Sequence, residues 1–286
     1  MMGEWIELIL IGICILCGLI MMACMVMMQR ARRLVTTHRD IAGRGEPCTF
    51  ALLSDIHIAN MPINVAQIAE VVKQNNPDFV IITGDLCNRL QETGQAAYFV
   101  DVLARRVRVP IYITLGNHEN KIFETQPELR KAYIRELSLI SPRIKVLEDD
   151  AVVVGGTLIG GLNDVRTCAA DVEGLVSEWG KMAAEDNLSF VLATHNPDML
   201  LKLQSVPAEY RPHITVCGHT HGGQIHTPFN LEFTLLKKDQ LPKEGYFYGY
   251  HDYKGFPLYI TSGLGCSLLP IRFGSSAEVA IFHLSS

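Results

Sequence analysis

The stretches TFALLSDIH (49–57), DFVIITGD (78–85) and PIYITLGNHE (110–119) share one pattern, a short run of apolar and β-branched residues that ends at polar side chains. Such runs are typical of buried strands. Between them, residues 64–75 and 95–106 have the apolar spacing of helices. This alternation predicts an α/β domain whose polar groups gather at the carboxyl ends of its strands.

The downstream half predicts a hairpin, a helix and four more strands. Their residues are AVVVGGTLIGGL (151–162) for the hairpin, 170–184 for the helix, and SFVLATH (189–195), HITVCGHTH (213–221), PLYIT (257–261) and EVAIFHL (278–284) for the strands. Gly155 and Gly156 are expected at the hairpin turn. Both halves of the chain therefore carry polar groups to strand ends.

Eight polar residues stand at or just after these strand ends. They are Asp55, His57, Asp85, Asn117, His118, His195, His219 and His221. Any one of them could be a turn former or a structural histidine. Their recurrence after small residues instead favours a shared site for metals such as Mn, Fe or Zn, which carboxylate and imidazole groups bind. His118 directly follows Asn117 and is better placed for acid–base work.

In chain order, the motifs DxH, GD, GNHE, a later His and GHTH resemble the signature of the calcineurin-like metallophosphoesterase family over about Ser54 to His221. The run YITSGLGCSLLPIRF (259–273) also resembles the tail of the family's membrane-anchored bacterial branch, in which Arg usually occupies the position of Ser262. The resemblance implies an α/β fold, a four-layer αββα sandwich with two divalent metal ions. Seven ligands are implied: Asp55, His57 and His221 for one ion, Asn117, His195 and His219 for the other, and Asp85 bridging both with one oxygen on each ion.

Two such ions lower the pKa of a shared water and neutralise phosphate charge. The resemblance therefore implies hydrolysis of a phosphodiester or pyrophosphate bond without a protein nucleophile. His118 is the implied catalytic residue, which stabilises the transition state or protonates the leaving oxygen. Glu119 could orient His118 or be an exposed loop carboxylate. Asn163 and Asp164 could border the site or form a simple turn, so these three residues receive no catalytic role.

Residues 1–29 are predicted to form an N-terminal transmembrane anchor. The charge-free run Leu8–Met28 matches the ~20 residues that a membrane-spanning helix needs. Glu4 and Glu7 stand where a cleaved signal peptide would have basic residues. The basic residues instead follow the run: Arg30, Arg32, Arg33, Arg39 and Arg44.

By the positive-inside rule, this charge distribution predicts a single-pass protein of the cell membrane whose catalytic domain faces the cytoplasm. The same arginines could bind anionic lipid headgroups. Residues 30–47 are interpreted as a basic juxtamembrane linker and residues 48–286 as the metallophosphoesterase domain.

Charge and cysteine content narrow the choice of partner and compartment. A net charge of -5 disfavours a nucleic-acid substrate, because proteins that bind nucleic-acid phosphates carry basic surfaces. Outside the anchor, the cysteines form an odd and widely spaced set: Cys48, Cys87, Cys168, Cys217 and Cys266. This set indicates no disulfide framework and agrees with a reducing compartment.

An apolar and aromatic segment, Thr227–Tyr253, follows the GHTH motif directly. Its position and the anchor favour a membrane-associated or lipid-linked substrate, similar to that of bacterial relatives that cleave UDP-diacylglucosamine, although ordinary core packing also accounts for aromatic residues. One alternative is hydrolysis of soluble phosphodiesters such as cyclic nucleotides. Another is a non-catalytic, membrane-anchored interaction scaffold, but a scaffold would be expected to lose ligands and every implied ligand is present.

Overall fold

The computed structural model describes residues 2–227, 231–236 and 238–286. Its helices are α1 (Met2–Ala31), α2 (Val65–Gln74), α3 (Thr93–Val107), α4 (Asn117–Phe123), α5 (Pro127–Ile140), α6 (Val172–Glu185), α7 (Leu231–Leu236) and α8 (Gln240–Lys243). Its strands are β1 (Leu34–Ala42), β2 (Cys48–Leu53), β3 (Phe79–Thr83), β4 (Ile111–Thr114), β5 (Ile144–Val146), β6 (Asp150–Val154), β7 (Thr157–Gly161), β8 (Ser189–Ala193), β9 (Ile214–Cys217), β10 (Gly249–Tyr253), β11 (Phe256–Ile260) and β12 (Ala277–Ser285).

The strands form two six-stranded sheets, with the orders β1-β12-β2-β3-β4-β5 and β10-β11-β9-β8-β7-β6. Strands β2 to β5 run parallel in the first sheet. Strands β7, β8, β9 and β11 run parallel in the second. Each sheet therefore collects the loops that follow its parallel strands at one edge.

Residue alternation along β2 shows how the layers are built. Ala51 and Leu53 pack into a core shared with residues of α2, α3 and α5, whereas Phe50 and Leu52 pack into the core between the two sheets. Successive side chains of a strand point to opposite faces, so a strand buried on both sides is apolar throughout. Strand β8 alternates in the same way between the core under α6 and the intersheet core. The predicted α/β four-layer αββα sandwich is confirmed.

The predicted strands and helices are present, with bounds that differ by a few residues. Helix α2 illustrates the local chemistry, because Asn64 precedes it and its side chain accepts a hydrogen bond from the backbone N–H of Ala66 at 2.8 Å. That bond satisfies a donor that the first turn of a helix otherwise leaves unpaired. The predicted hairpin is formed by β6 and β7, which pair antiparallel.

The interpretation of residues 30–47 as a linker is wrong for its central part. Strand β1 occupies Leu34–Ala42 and pairs in parallel with β12 along its whole length, from Leu34 opposite Ala277 to Ala42 opposite Ser285. As an edge strand it is largely exposed, so it lacks the apolar alternation that reveals a strand in sequence. The first sheet therefore begins at Leu34.

Helix α1 is long and apolar enough to cross a membrane between Trp5 and Ala31, by length and composition alone, and no other helix in the described ranges meets that criterion. Most of its side chains are exposed, whereas Ala31 at its carboxyl end is buried. The backbone N–H of Arg272 donates to the carbonyl of Met27 at 3.1 Å. The last turns of α1 thus contact the folded domain.

Candidate metal centre

The structure brings together all eight residues that the sequence singled out, from the facing edges of the two sheets. Main-chain hydrogen bonds hold the loops in register: Asp55 N–H donates to Gly84 at 3.1 Å, and His57 N–H donates to Asp85 at 2.9 Å. In the second sheet, Gly218 N–H donates to the carbonyl of His195 at 3.1 Å. The side chains divide into two clusters with Asp85 between them.

The first cluster contains Asp55, His57 and His221, all buried. The Nε2 atoms of His57 and His221 are 3.1 Å apart, and His221 Nε2 is 3.6 Å from Asp55 Oδ1. Asp85 Oδ2 lies 3.6 Å from His57 Nε2. Both oxygens of Asp55 also accept from the backbone N–H of His219 at 3.0 Å, which fixes the carboxylate.

The second cluster contains Asn117, His195 and His219. Asn117 Oδ1 lies 2.8 Å from His219 Nδ1 and 3.0 Å from His195 Nε2. The two imidazole nitrogens are 3.2 Å apart. Asp85 Oδ2 lies 3.3 Å from His195 Nε2.

These separations fit a pair of divalent cations. Two ligand atoms that each lie about 2.0–2.2 Å from a metal ion are roughly 3 Å or slightly more from each other. The separations within the clusters run from 2.8 to 3.6 Å. The atoms are imidazole nitrogens, carboxylate oxygens and an amide oxygen, which suit transition-metal ions or Zn.

Asp85 faces both clusters through one atom. Its Oδ2 lies near His57 and His195, while its Oδ1 accepts from the backbone N–H of His118 at 2.9 Å. The arrangement of the side chains thus has Oδ2 nearest to both clusters, whereas the resemblance implied one oxygen for each ion. Burial acts to raise the pKa of the Asp85 carboxyl, but His195, with His57 and His118, holds that pKa well below its ordinary value. Burial lowers the pKa of His195, yet Asp85 outweighs it and raises the value to about 10.

His118 lies at the rim of the two clusters. Its Nε2 is 3.9 Å from Asp85 Oδ2, its side chain is 34% exposed, and its ring packs edge-on against His57 with centroids 5.0 Å apart. Burial lowers the pKa of His118, although the nearby Asp85 opposes that change. The imidazole is thus close to the clusters and still accessible from solvent.

A sequence model of the family described as calcineurin-like phosphoesterase matches residues 48–223. The chain belongs to this family. The phosphoesterase is 28% identical over 232 residues to YkoQ, an uncharacterized metallophosphoesterase of Bacillus subtilis, and the match covers 81% of each chain. It is 25% identical over 246 residues to the phosphodiesterase YaeI of Escherichia coli, a match that covers 83% of this chain and 82% of YaeI. A crystal structure of TT1561 from Thermus thermophilus aligns with a TM-score of 0.46 and 9% identity over 77% of this chain and 91% of that one.

These findings make the chain a metal-dependent phosphoesterase, and its clustered His and Asp residues are groups that could hold the divalent metals of the family.

Hydrogen bonds at the ring nitrogens that face away from the clusters orient the histidine side chains of the phosphoesterase. His195 Nδ1 donates to the carbonyl of Thr83 at 2.8 Å, and His57 Nδ1 donates to Asn88 Oδ1 at 2.6 Å, so each ring presents Nε2 to the clusters. His219 is turned the other way, because its Nε2 donates to Asp239 Oδ2 at 3.0 Å and its Nδ1 faces Asn117. Such partners fix the tautomer and the ring orientation of metal-binding histidines.

Several of the clustered residues have a strained backbone. Positive φ angles occur at Asp55 (50°), His57 (40°), Asp85 (54°), His219 (72°) and His221 (55°). A left-handed conformation costs a residue with a Cβ roughly 1–2 kcal/mol. Strain of this kind persists where the surrounding structure enforces it, and it is concentrated at functional sites.

Glu119 is fully buried, so the alternative of an exposed loop carboxylate is wrong. Its Oε2 accepts from the backbone N–H groups of Asp85 (2.9 Å) and Gly116 (2.8 Å), and its Oε1 accepts from that of Cys87 at 3.0 Å. Glu119 therefore ties the loop after β3 to the loop after β4. Burial raises the pKa of its carboxyl, as does the charge of Asp85.

Ser262 is committed to bonds within the fold. Its hydroxyl donates to the carbonyl of Ser276 at 2.6 Å, and its backbone N–H donates to Glu278 Oε2 at 2.9 Å. The buried guanidinium of Arg272 instead stiffens this region, because it donates to the carbonyls of Gly263 (3.1 Å) and Gly265 (2.6 Å). Ser262 and Arg272 are therefore both bonded to groups within the fold.

Two clefts adjoin the clusters. A cleft of about 600 Å³, here called the polar cleft because most of its lining residues are polar or charged, is lined by Asn117 and His118 together with Lys121, Glu124, Arg130 and Arg166. Asp164 also lines it, and Asn163 accepts a hydrogen bond from Arg130 at 2.8 Å. Asn163 and Asp164 therefore border the site, which was one of the two alternatives that the sequence left open for them.

An apolar cleft of about 340 Å³ begins at His221 and is lined by Ile225, Phe233, Leu268 and Leu269. Part of the segment Thr227–Tyr253 thus borders the candidate site. Its Tyr253 instead packs into the core of the second sheet. The residues 228–230 and Lys237 of this segment lie outside the described residues.

Proposed function

We propose that the phosphoesterase uses two divalent metal ions to cleave a phosphodiester or pyrophosphate bond in a membrane-associated, lipid-linked substrate. The main support for a lipid-linked substrate is the apolar cleft, because His221, a member of the first ligand cluster, is one of its lining residues. The polar cleft begins at Asn117 in the other cluster. A molecule that lies across both clusters would meet an apolar surface on one side and, on the other, a charged surface that includes Lys121 and Arg166.

The clusters supply the ligands of the two ions in this proposal. Asp55, His57 and His221 would hold one ion, Asn117, His195 and His219 would hold the other, and Asp85 would lie between the two. When bound, such ions lower the pKa of water towards neutrality and offset the charge of phosphate oxygens. The role of the protein is to fix the donors, which the strained backbone angles and the partners of the histidines accomplish.

The remaining groups bind and orient the substrate. Lys121 and Arg166 provide positive charge in the polar cleft, where a second phosphate or another anionic group would bind. His118 lies between that cleft and the clusters, so its imidazole can donate a proton or a hydrogen bond to the oxygen that leaves.

A substrate comparison tests the lipid-linked class. We expect faster hydrolysis, by kcat/KM, of lipid pyrophosphates and lipid phosphodiesters in mixed micelles than of soluble diesters such as bis-p-nitrophenyl phosphate or cyclic nucleotides. Ile225→Asp should lower the ratio of the lipid rate to the soluble rate, because it places a charge in the apolar cleft. Leu139→Asp, at an exposed position on α5, is the matched control. Equal rates on both substrate classes would favour soluble phosphodiesters.

The proposal includes a single membrane span by α1, with the catalytic domain on the cytoplasmic side. Its support is the charge distribution, since arginines follow the apolar run and none precedes it. A reporter fused to the carboxyl terminus should then be active only in the cytoplasm. Reversing the charge bias, with Arg30, Arg32 and Arg33 changed to Gln and lysines added before Trp5, should shift the reporter outward. Periplasmic activity of the unmodified fusion would overturn the orientation.

A further inference from the structure

We propose that residues 267–273, here called the apolar loop, insert into the membrane leaflet that contains the carboxyl end of α1. In this proposal the folded domain contacts the bilayer directly, in addition to the contact that the spanning helix α1 makes. The inference rests on the membrane span by α1 that the proposed function includes.

The apolar loop exposes large apolar side chains. Leu268 is 83% exposed, Leu269 61% and Phe273 47%. Neighbouring apolar side chains that a folded domain leaves in water mark a surface that binds an apolar partner. The side chains of single exposed leucines elsewhere would need no such explanation.

The identity of that partner follows from continuity with α1. The backbone N–H of Arg272 donates to the carbonyl of Met27, and the guanidinium of Arg30 lies over the Phe273 ring at 5.6 Å from its centroid. Met27 lies at the end of the charge-free run, and Arg30 is the first charged residue after it. The apolar loop therefore lies beside the part of α1 that passes from hydrocarbon to headgroups. At that depth Phe273 can bury its ring among the acyl chains, and an arginine near the end of a helix can extend its guanidinium to the headgroups.

The fold holds the loop in this exposed position. Gln224 Nε2 donates to the carbonyls of Leu269 at 3.2 Å and Ile271 at 3.1 Å. Arg272 is buried and bonded to the carbonyls of Gly263 and Gly265. The backbone of Ile225 also pairs with Phe273. The leucines thus project from a backbone that is bonded on both sides of them.

Insertion has a consequence for the candidate site. Leu268 and Leu269 form one wall of the apolar cleft, and His221 lies in the same cleft. With the loop in the leaflet, the mouth of this cleft opens at the bilayer surface. A lipid could then present its phosphate to the ligand clusters while its chains stay among apolar side chains.

Fluorescence quenching by brominated lipids tests the insertion directly. The full-length protein with Trp5→Phe keeps Trp179 as a constant background, and L268W or L139W is added to it. Helix α5, which carries Leu139, packs on β5, at the opposite edge of the first sheet from β1. In phosphatidylcholine vesicles brominated near the headgroup end of the acyl chains, L268W should lose fluorescence relative to unbrominated vesicles. L139W should not.

The native Trp5 separates the possible failures. Its quenching, measured as the difference between the unmodified chain and Trp5→Phe, reports whether α1 lies in the bilayer. Quenching of Trp5 without quenching of L268W would overturn the insertion alone. Absence of both would overturn the membrane span as well. A blue-shifted L268W emission that does not depend on bromine, with loss of a dimer in L268D, would assign the loop to self-association and also overturn the proposal.

Discussion

Replacing Asp85 with Asn is expected to remove most hydrolytic activity and to lower the content of both metals. Asp85 Oδ2 is the atom that faces both clusters, 3.6 Å from His57 Nε2 and 3.3 Å from His195 Nε2. An amide in its place removes a negative charge that would otherwise offset two cations. The loss in kcat/KM should exceed the roughly 10–100-fold that removal of an outer partner costs a metal site.

Asp239→Asn is expected to lower metal affinity less than Asp85→Asn does. Asp239 accepts from His219 Nε2 and lies outside the clusters, so its replacement should weaken one ion about 10–100-fold and leave the other bound. Asp150→Asn, at an exposed position at the start of β6, is the matched control for loss of a carboxylate. Elemental analysis of dialysed protein, followed by activity titration with Mn²⁺ or Zn²⁺, measures both effects.

Three patterns of metal content are therefore distinguishable. Asp85→Asn should lose affinity for two ions, Asp239→Asn for one and Asp150→Asn for neither. If Asp85→Asn kept both ions at the affinity of the unmodified protein, the bridging assignment would be refuted. Circular dichroism should show that all three variants fold, because each change conserves side-chain volume.

The sequence predicts the clusters well because the relevant signals are local. Asp55, Asp85 and His195 each follow a buried strand, and parallel strands place their carboxyl ends at one edge. A short apolar run and the polar residue after it are adjacent in the chain. Both signals can therefore be recognised without knowing which distant residues the strand contacts.

The features that the sequence does not predict depend on distant contacts. Strand β1 pairs with β12 at the far end of the chain, and its exposed side chains carry no apolar alternation. Asp239 lies in a segment without a strand pattern, so its bond to His219 leaves no local signal. The single-atom approach of Asp85 depends on the backbone N–H of His118, which occupies Oδ1. Such arrangements follow from packing rather than from motif spacing.

His118→Asn is expected to lower kcat about 10²–10⁴-fold on substrates with poor leaving groups, the usual contribution of a general acid. The imidazole lies at the rim of the clusters, 3.9 Å from Asp85 Oδ2, and it lines the polar cleft. The side chain of Asn cannot deliver a proton. Metal content should change little, because His118 Nε2 lies 3.9 Å from Asp85 Oδ2, farther than the 2.8–3.6 Å separations within the two clusters. His118 is nevertheless close enough to His57 and Asp85 to share an ion with them, so elemental analysis of the variant checks this expectation.

The protonation state of the His118 imidazole determines whether it can act as a general acid. Burial lowers the pKa of the imidazole and Asp85 raises it, with burial the larger effect. A substrate phosphate close to Nε2 adds negative charge, which favours the protonated form. Bound substrate therefore favours proton donation by His118, whereas a neutral imidazole could still donate a hydrogen bond from N–H.

Leaving groups distinguish these two modes of action. An alkyl alcohol needs a proton as it departs, whereas p-nitrophenolate departs without one, so loss of a general acid should slow alkyl diesters far more than p-nitrophenyl diesters. Loss of a hydrogen bond to a non-leaving phosphate oxygen should slow both classes equally. We expect the unequal result for His118→Asn, and the log of kcat should fall more steeply with leaving-group pKa than in the unmodified protein. Parallel slopes would remove the general-acid role and leave His118 as a hydrogen-bond donor to the transition state.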